Sequence, residues 1–354
     1  MSIQYILGNS GSGKTEFLYQ KILEEAKRYP SQTYYVVVPE QFTMQTQREF
    51  VMRSPNKCIM NIDVVSFDRL AYRIFDELGL TQIQVLDDIG KSLLLRRIIQ
   101  NKKKDLKIFK NNVEKPGYID QIKSLISELE QYQVSPDALV EIVSRRQDDV
   151  LKFKLDDILL IYQEFLSFTQ KKYITNEELL GVFADEIKHS IKLKQAVFAF
   201  DGYTGFTPVQ ASVIKELMKI SSKIWITVLL DRREDYSSMG EKHSLFFMSK
   251  KFIHQLNKLA EETKILLEDP IVLSNQNNRF LTSPGLAFLE QNLFRSKQEK
   301  FLAKQKQIEI MEFSDPKDEM EFVAREIVEQ VRTKKMRYRS FAIVTGDVST
   351  YGEL

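Results

Sequence analysis

Gly8-Asn9-Ser10-Gly11-Ser12-Gly13-Lys14-Thr15 satisfies the pattern G-x-x-x-x-G-K-[ST] in full, and the reading of the whole chain turns on it. Glycine is scarce, 13 in 354 residues, yet Gly8, Gly11 and Gly13 crowd into the first thirteen positions. Such clustering marks a loop whose backbone needs conformations that a Cβ opposes. Before the loop, residues 3–7 form a short apolar run, read as a buried strand. After it, Phe17, Leu18, Ile22 and Leu23 recur at helical spacing until Tyr29-Pro30 closes the segment. Strand, glycine loop, helix is the context the motif requires.

The residue types carry the chemistry. Glycines let successive backbone N–H groups curl around a phosphate, and the following helix N-terminus adds partial positive charge. Lys14 is expected to reach the β- and γ-phosphates and Thr15 to place its hydroxyl on Mg²⁺, so the ligand expected is ATP or its diphosphate. A buried acid at the end of another strand should complete the metal site. Asp201, closing the apolar run 196–200 (AVFAF), suits that role. Gly202 follows it, where motor ATPases commonly carry Glu, and a glycine neither orients water nor accepts a proton. The site is therefore expected to bind triphosphate and hydrolyse it slowly. Asp231 and Glu40 are weaker substitutes for the missing acid.

Outward from the loop, strands are expected at 33–38 (TYYVVV), near Val64-Val65 and at 224–230, with helices over 41–52, from Phe67 to Leu78, and over 209–218. This alternation indicates a parallel α/β sheet. Between 80 and 193 strand signals vanish and helical periodicity takes over, as in Leu155, Ile158, Leu159, Tyr162, Phe165 and Leu166, which predicts an inserted helical subdomain. The basic runs Lys102 to Lys104, Arg145-Arg146 and Lys171-Lys172 read as solvated helix ends or, less readily, as a phosphate-backbone contact. A polar stretch over 261–306, including residues 275–278, reads as a linker with some helix. Strand, helix and strand are expected at 308–313, 319–331 and 341–344, an α/β unit that begins without being finished, as in a fragment of a longer protein.

With 51 Lys+Arg against 49 Asp+Glu the net charge is +2, which argues against wholesale coating of nucleic acid but permits a local basic groove. Hydrophobic residues at 43% and charged residues at 28% exclude a disordered or collagenous chain. The single cysteine, Cys58, forms no internal bridge and reads as a buried, inert thiol. His189, His243 and His254 have no metal-ligand spacing, and Trp225 and Phe246-Phe247 read as core. No basic-then-apolar leader and no membrane-length apolar run occur, so a cytoplasmic protein without membrane contact is expected.

The glycine loop, Val-Val-Val-Pro-Glu-Gln-Phe-Thr (36–43), Val-Val-Ser-Phe-Asp-Arg-Leu-Ala (64–71) and Phe-Asp-Gly-Tyr-Thr-Gly-Phe-Thr-Pro-Val-Gln (200–210) together resemble the N-terminal part of AddB, the second polypeptide of the AddAB ATP-dependent helicase/deoxyribonuclease family. The resemblance runs over nearly the whole chain. It implies a RecA-like P-loop domain of superfamily-one helicase type over 1–80 and 195–305, a helical insertion over 81–194 and the start of a second RecA-like domain over 306–354. It further implies a heterodimer with the AddA-type motor polypeptide (the A subunit), DNA as substrate, and a role in recombination at double-strand breaks. The family's nuclease carboxylates and cysteine-bound iron–sulfur cluster have no counterpart in these residues, so neither is expected of this chain. Other readings are an autonomous ATP-driven DNA translocase, a P-loop small-molecule kinase, and an interaction scaffold with a relic loop.

Overall fold

The computed structural model describes residues 1–80, 85–111, 117–144, 150–169, 173–273, 279–295 and 299–352. Arg145-Arg146, Lys171-Lys172 and residues 275–278 lie outside these. The chain divides into two compact units, 1–279 and 280–354.

In the first unit β1 (Ser2–Gly8) leads through the glycine loop into α1 (Lys14–Arg28). Then come β2 (Tyr34–Val37), α2 (Thr43–Arg53), β3 (Ile62–Val65) and α3 (Phe67–Glu77), the last capped by the Ser66 hydroxyl, which accepts from the Arg69 N–H. A second stretch holds β4 (Val85–Leu86), α4 (Asp88–Asn101), α5 (Tyr118–Gln131), α6 (Pro136–Ser144), α7 (Val150–Thr169), β5 (Ile174–Thr175) and α8 (Asn176–Glu186). The chain returns through β6 (Val197–Phe200), α9 (Pro208–Ile220), β7 (Lys223–Leu229), α10 (Phe247–Thr263), β8 (Leu266–Leu267) and β9 (Ile271–Val272).

The strands form one sheet in the order β3-β2-β6-β7-β1-β8, with β9 also beside β1, and every pairing is parallel. A parallel sheet covered on both faces needs strands that are apolar on both sides, and β2 and β6 are buried at every position. Alternation then sorts side chains between two cores. Ile3, Tyr5 and Leu7 face α3, α8, α9 and α10, whereas Ile6 faces α1 and α2 together with Trp225, Leu18 and Phe50. Trp225 is fully buried, as its sequence context indicates.

Helices α4, α5 and α7 enclose a third core around Leu95, Ile99, Ile126, Ile161 and Phe165. The block is not free of strands as its periodicity suggests, because Val85-Leu86 pairs with Ile174-Thr175 in a small parallel ladder. Its last helix also changes allegiance. Leu179 and Phe183 of α8, with Ile187 and Leu193 beyond it, are buried in the sheet's core rather than in the helical one.

Three sequence expectations need correction. The polar stretch after α10 contains β8 and β9, which extend the sheet past β1. Two-residue strands are too short to show a period. In the second unit α11 (Pro284–Asn292) and α12 (Pro316–Lys334) form, but residues 308–313 and 341–344 join no ladder among the described residues. An apolar run becomes a strand only beside another, and Ile310 and Val344 are instead 95% and 93% exposed. Cys58 is exposed, because it sits in the turn before β3 rather than in an element.

The end of α3 is fastened by Glu77, which accepts from the Ser190 hydroxyl at 2.7 Å and from the N–H groups of Ile191 and Lys192 at 2.8 and 3.1 Å. Burial pushes the Glu77 carboxyl up, but these bonds outweigh it and hold the group below its ordinary value of 4.5. A depressed folded value means the stabilisation is complete above the unfolded pKa and is lost as pH falls through the folded one. Glu77→Gln should cost about 1 kcal/mol at neutral pH, the low end for a charged hydrogen bond at a partly solvated site. Urea denaturation followed from pH 7 downward should show that gap closing as the pH drops below 4.5.

Candidate nucleotide-binding site

Every parallel strand of the sheet delivers its C-terminal end to one edge, and the glycine loop emerges there. Gly11 and Gly13 have φ of 73° and 90°, the left-handed region where a Cβ is disfavoured. Gly8 is fixed by space instead, since a Cβ there would stand 2.3 Å from the Ser12 Oγ. The Ser12 N–H donates to the Asn9 carbonyl at 3.2 Å, and the Arg279 N–H donates to the Gly11 carbonyl at 3.1 Å. Gly13, lacking a side chain, leaves the first turn of α1 without a side-chain cap. The Ser12 Oγ is buried and has no hydrogen-bond partner among the described residues. Ser10 stands at the exposed turn of the loop, whereas Asn9 is buried.

Lys14 folds back over the loop, its Nζ donating to the carbonyls of Gly8 and Asn9 at 2.9 Å each. Its long stem places a mobile ammonium over the loop's cradle. Thr15 and Asp201, 186 residues apart in sequence, meet directly. The Thr15 hydroxyl donates to Asp201 Oδ2 at 2.9 Å. Asp201 is 7% exposed, and its other oxygen, Oδ1, accepts from the Thr227 hydroxyl at 2.6 Å. Its own N–H donates to the Val37 carbonyl at 3.1 Å. The nearby Asp201 charge, after burial itself, pushes the Tyr19 hydroxyl well above its ordinary range.

A buried carboxylate held by hydroxyls, with no ion pair among the described residues, is a set of hard oxygen groups of the kind divalent cations bind. Thr15 and Asp201 suit a magnesium ion on that ground. Among the described residues no group of three or more His, Cys, Asp or Glu side chains forms a separate metal cluster.

Gly202 adopts φ of 81°, with Pro39 atoms 3.5 Å from where a Cβ would lie. Glycine is thus required by the backbone at this corner as well as being chemically inert. The two substitute acids are engaged elsewhere. Asp231 takes a bidentate grip from the Arg233 guanidinium, at 3.0 and 2.7 Å, and Glu40 pairs with Arg69 at 2.7 Å. His189, His243 and His254 are all exposed. Of the basic run after α4, Lys102 is paired with Glu164 at 2.8 Å. Thr227 escapes sequence reasoning because threonine is an ordinary strand residue; its signal is a lone hydroxyl inside the otherwise apolar interior of β7.

Residues 5–290 match the protein family described as "ADDB, N-terminal". The chain is similar to the B subunit of the ATP-dependent helicase/deoxyribonuclease of Lachnoclostridium phytofermentans, 38% identical with 100% of this chain and 31% of that protein covered. The proteins of that same name from Clostridium acetobutylicum and Caldanaerobacter subterraneus subsp. tengcongensis are 34% and 33% identical, covering 99% and 100% of this chain and 30% of each relative. The chain therefore spans about a third of the length of the curated relatives it matches. No helix among the described residues is long and apolar enough to cross a membrane.

Thr227→Val keeps the shape of the strand while leaving Asp201 Oδ1 without its donor. The expected loss is about 1–3 kcal/mol of folding stability, the cost of an unsatisfied buried acceptor. Guanidinium denaturation monitored by Trp225 fluorescence checks it, and Thr227→Ser should recover most of the loss.

Proposed function

This chain belongs to the ADDB N-terminal family, and on that footing we propose that it is the nucleotide-binding, helicase-like front part of the AddB polypeptide of a heterodimeric ATP-dependent helicase/deoxyribonuclease. In this reading it works with an A subunit on DNA, in the cytoplasm, during repair of double-strand breaks by recombination. The sheet order and the loop-first topology support a RecA-like P-loop domain of superfamily-one type, with the α4–α7 core as its helical insertion. The family resemblance supports residues 306–354 as the beginning of a second such domain. The chain's own part is to hold ATP and help guide DNA. Cutting DNA belongs to other parts of the longer relatives.

The observation that carries the proposal is the 2.9 Å contact between Thr15 and the buried Asp201 at the mouth of the glycine loop. The loop amides and the α1 N-terminus would hold the phosphates, and Lys14 would exchange its two carbonyl partners for β- and γ-phosphate oxygens. Thr15 and Asp201 would hold magnesium, which when bound neutralises charge on those phosphates. Gly202 contributes nothing to water activation, while Arg233 and Arg69 pair with Asp231 and Glu40, the two alternative carboxylates. Binding with weak hydrolysis is the outcome these groups support.

Titration calorimetry with a non-hydrolysable ATP analogue and Mg²⁺ should show one site, weakened by about tenfold or more in Lys14→Ala, as loss of a charged phosphate contact implies. Steady ATP turnover should stay well below about 1 s⁻¹, the low end for ordinary enzymes. DNA-stimulated turnover above that rate, abolished in Lys14→Ala, would favour a motor instead. Gly202→Glu should not raise turnover. It should cost about 1–2 kcal/mol of stability, because it forces a side chain into the left-handed region.

A further inference from the structure

The acid of the glycine-loop site is held by a neighbouring strand as well as by the loop. Asp201 follows β6, and Phe200 of β6 pairs with Ile226 of β7. The next residue of β7, Thr227, pairs with Ile6 of β1 on its other side. Ile6, Ala199 and Trp225 all pack in the core that α1 and α2 cover. Alternation along the strands puts Thr227 and Asp201 on that same face.

Valine has the shape of threonine and packs as well in a buried strand, so packing alone does not call for a hydroxyl here. Thr227 is 4% exposed, and its hydroxyl donates to Asp201 Oδ1 at 2.6 Å, a shorter bond than the 2.9 Å one from Thr15 to Oδ2. A hydroxyl has one proton, and this one is spent on the carboxylate. The two oxygens of Asp201 are therefore unlike. Oδ2 is shared with Thr15 at the start of α1, whereas Oδ1 is committed to a side chain inside the sheet.

Divalent cations differ in what they ask of a carboxylate. Calcium takes about six to eight oxygens and readily grips a carboxylate by both of them. Magnesium keeps several of its waters and needs little from the protein beside substrate phosphates. A carboxylate with one oxygen already committed suits the second demand and not the first. Asp231 and Glu40 do not enlarge the donor set, because Arg233 and Arg69 engage them.

We propose that Thr227 sets the metal preference of this site: by holding Asp201 Oδ1 it denies a cation the two-oxygen grip that calcium favours, and so selects magnesium. The inference rests on the reading of this edge of the sheet as an ATP and Mg²⁺ site. Thr227 acts through Asp201 and is a positioning residue. Removing its hydroxyl releases Oδ1 and admits calcium.

The test titrates the full chain by calorimetry with a non-hydrolysable ATP analogue in Mg²⁺, in Ca²⁺ and in EDTA. The parent should bind the analogue about tenfold or more tightly with Mg²⁺ than with Ca²⁺. Thr227→Val should bring the two to within about threefold, chiefly by gaining affinity with Ca²⁺, and Thr227→Ser should keep the parent's preference. Thr227→Cys, a weaker donor of nearly the same volume, should fall between the parent and Thr227→Val, and it decides the matter if the valine variant does not fold. A parent without preference, or a preference unchanged in both Thr227→Val and Thr227→Cys, would overturn the proposal. So would equal weakening in all three conditions, which marks a merely structural role. A parent that binds the analogue in none of them would overturn the ATP-site reading itself, and this inference with it.

Discussion

One buried carboxylate ties together the edge of the sheet from which the glycine loop emerges. Asp201 takes hydroxyl donors from Thr15, at the start of α1, and from Thr227, within β7, while its N–H rests on the Val37 carbonyl at the end of β2. An ionised carboxylate withdrawn from water is costly unless donors surround it, so these contacts are interdependent. They also set geometry. β7 lies between β6 and β1, and a hydroxyl at position 227 is what lets an acid on β6 reach the helix that follows β1. The glycine loop, with its left-handed backbone at Gly11 and Gly13, is therefore held at its far end by a residue from the opposite half of the unit.

The second organising feature is the way the chain uses its three cores. The two cores that sandwich the sheet are closed by alternation along β1 and β7, whereas the helical core belongs to α4, α5 and α7. α8 packs with the sheet yet receives Lys91 from the helical side through Glu177. A buried ionic cluster is weak evidence for stability, because desolvation offsets much of the attraction. Its geometric demands are strict, however, because the Lys91 ammonium must meet Ser127, Glu130 and Glu177 at once. The polar contact links α4 and α5 of the helical block to α8, which packs with the sheet.

Much of this is legible in the chain itself. The strand, loop and helix at the N-terminus follow from glycine spacing, and Asp201 from its place at the end of an apolar run. What the sequence hid has identifiable causes. β8 and β9 are two residues each, below the length at which alternation shows, and they depend on the exposed flank of β1 rather than on their own composition. The apolar runs at 308–313 and 341–344 erred in the opposite direction, because local pattern carries no information about a neighbouring strand. Gly202 reads in sequence as a lost catalytic acid, but its positive φ gives the corner a conformational reason of its own. Thr227 and the Lys91 cluster are long-range contacts among residue types that are unremarkable where they stand.

In a sheet whose strands all run the same way, opposite rims have different occupants. Cys58 lies in the turn that enters β3, on the rim where strands begin, while the glycine loop and Asp201 occupy the rim where they end. It is the only thiol in the chain and it faces solvent. A maleimide dye, spin label or surface tether can therefore be attached to the unaltered protein at a single position, with the length of the strands between the label's rim and the loop's.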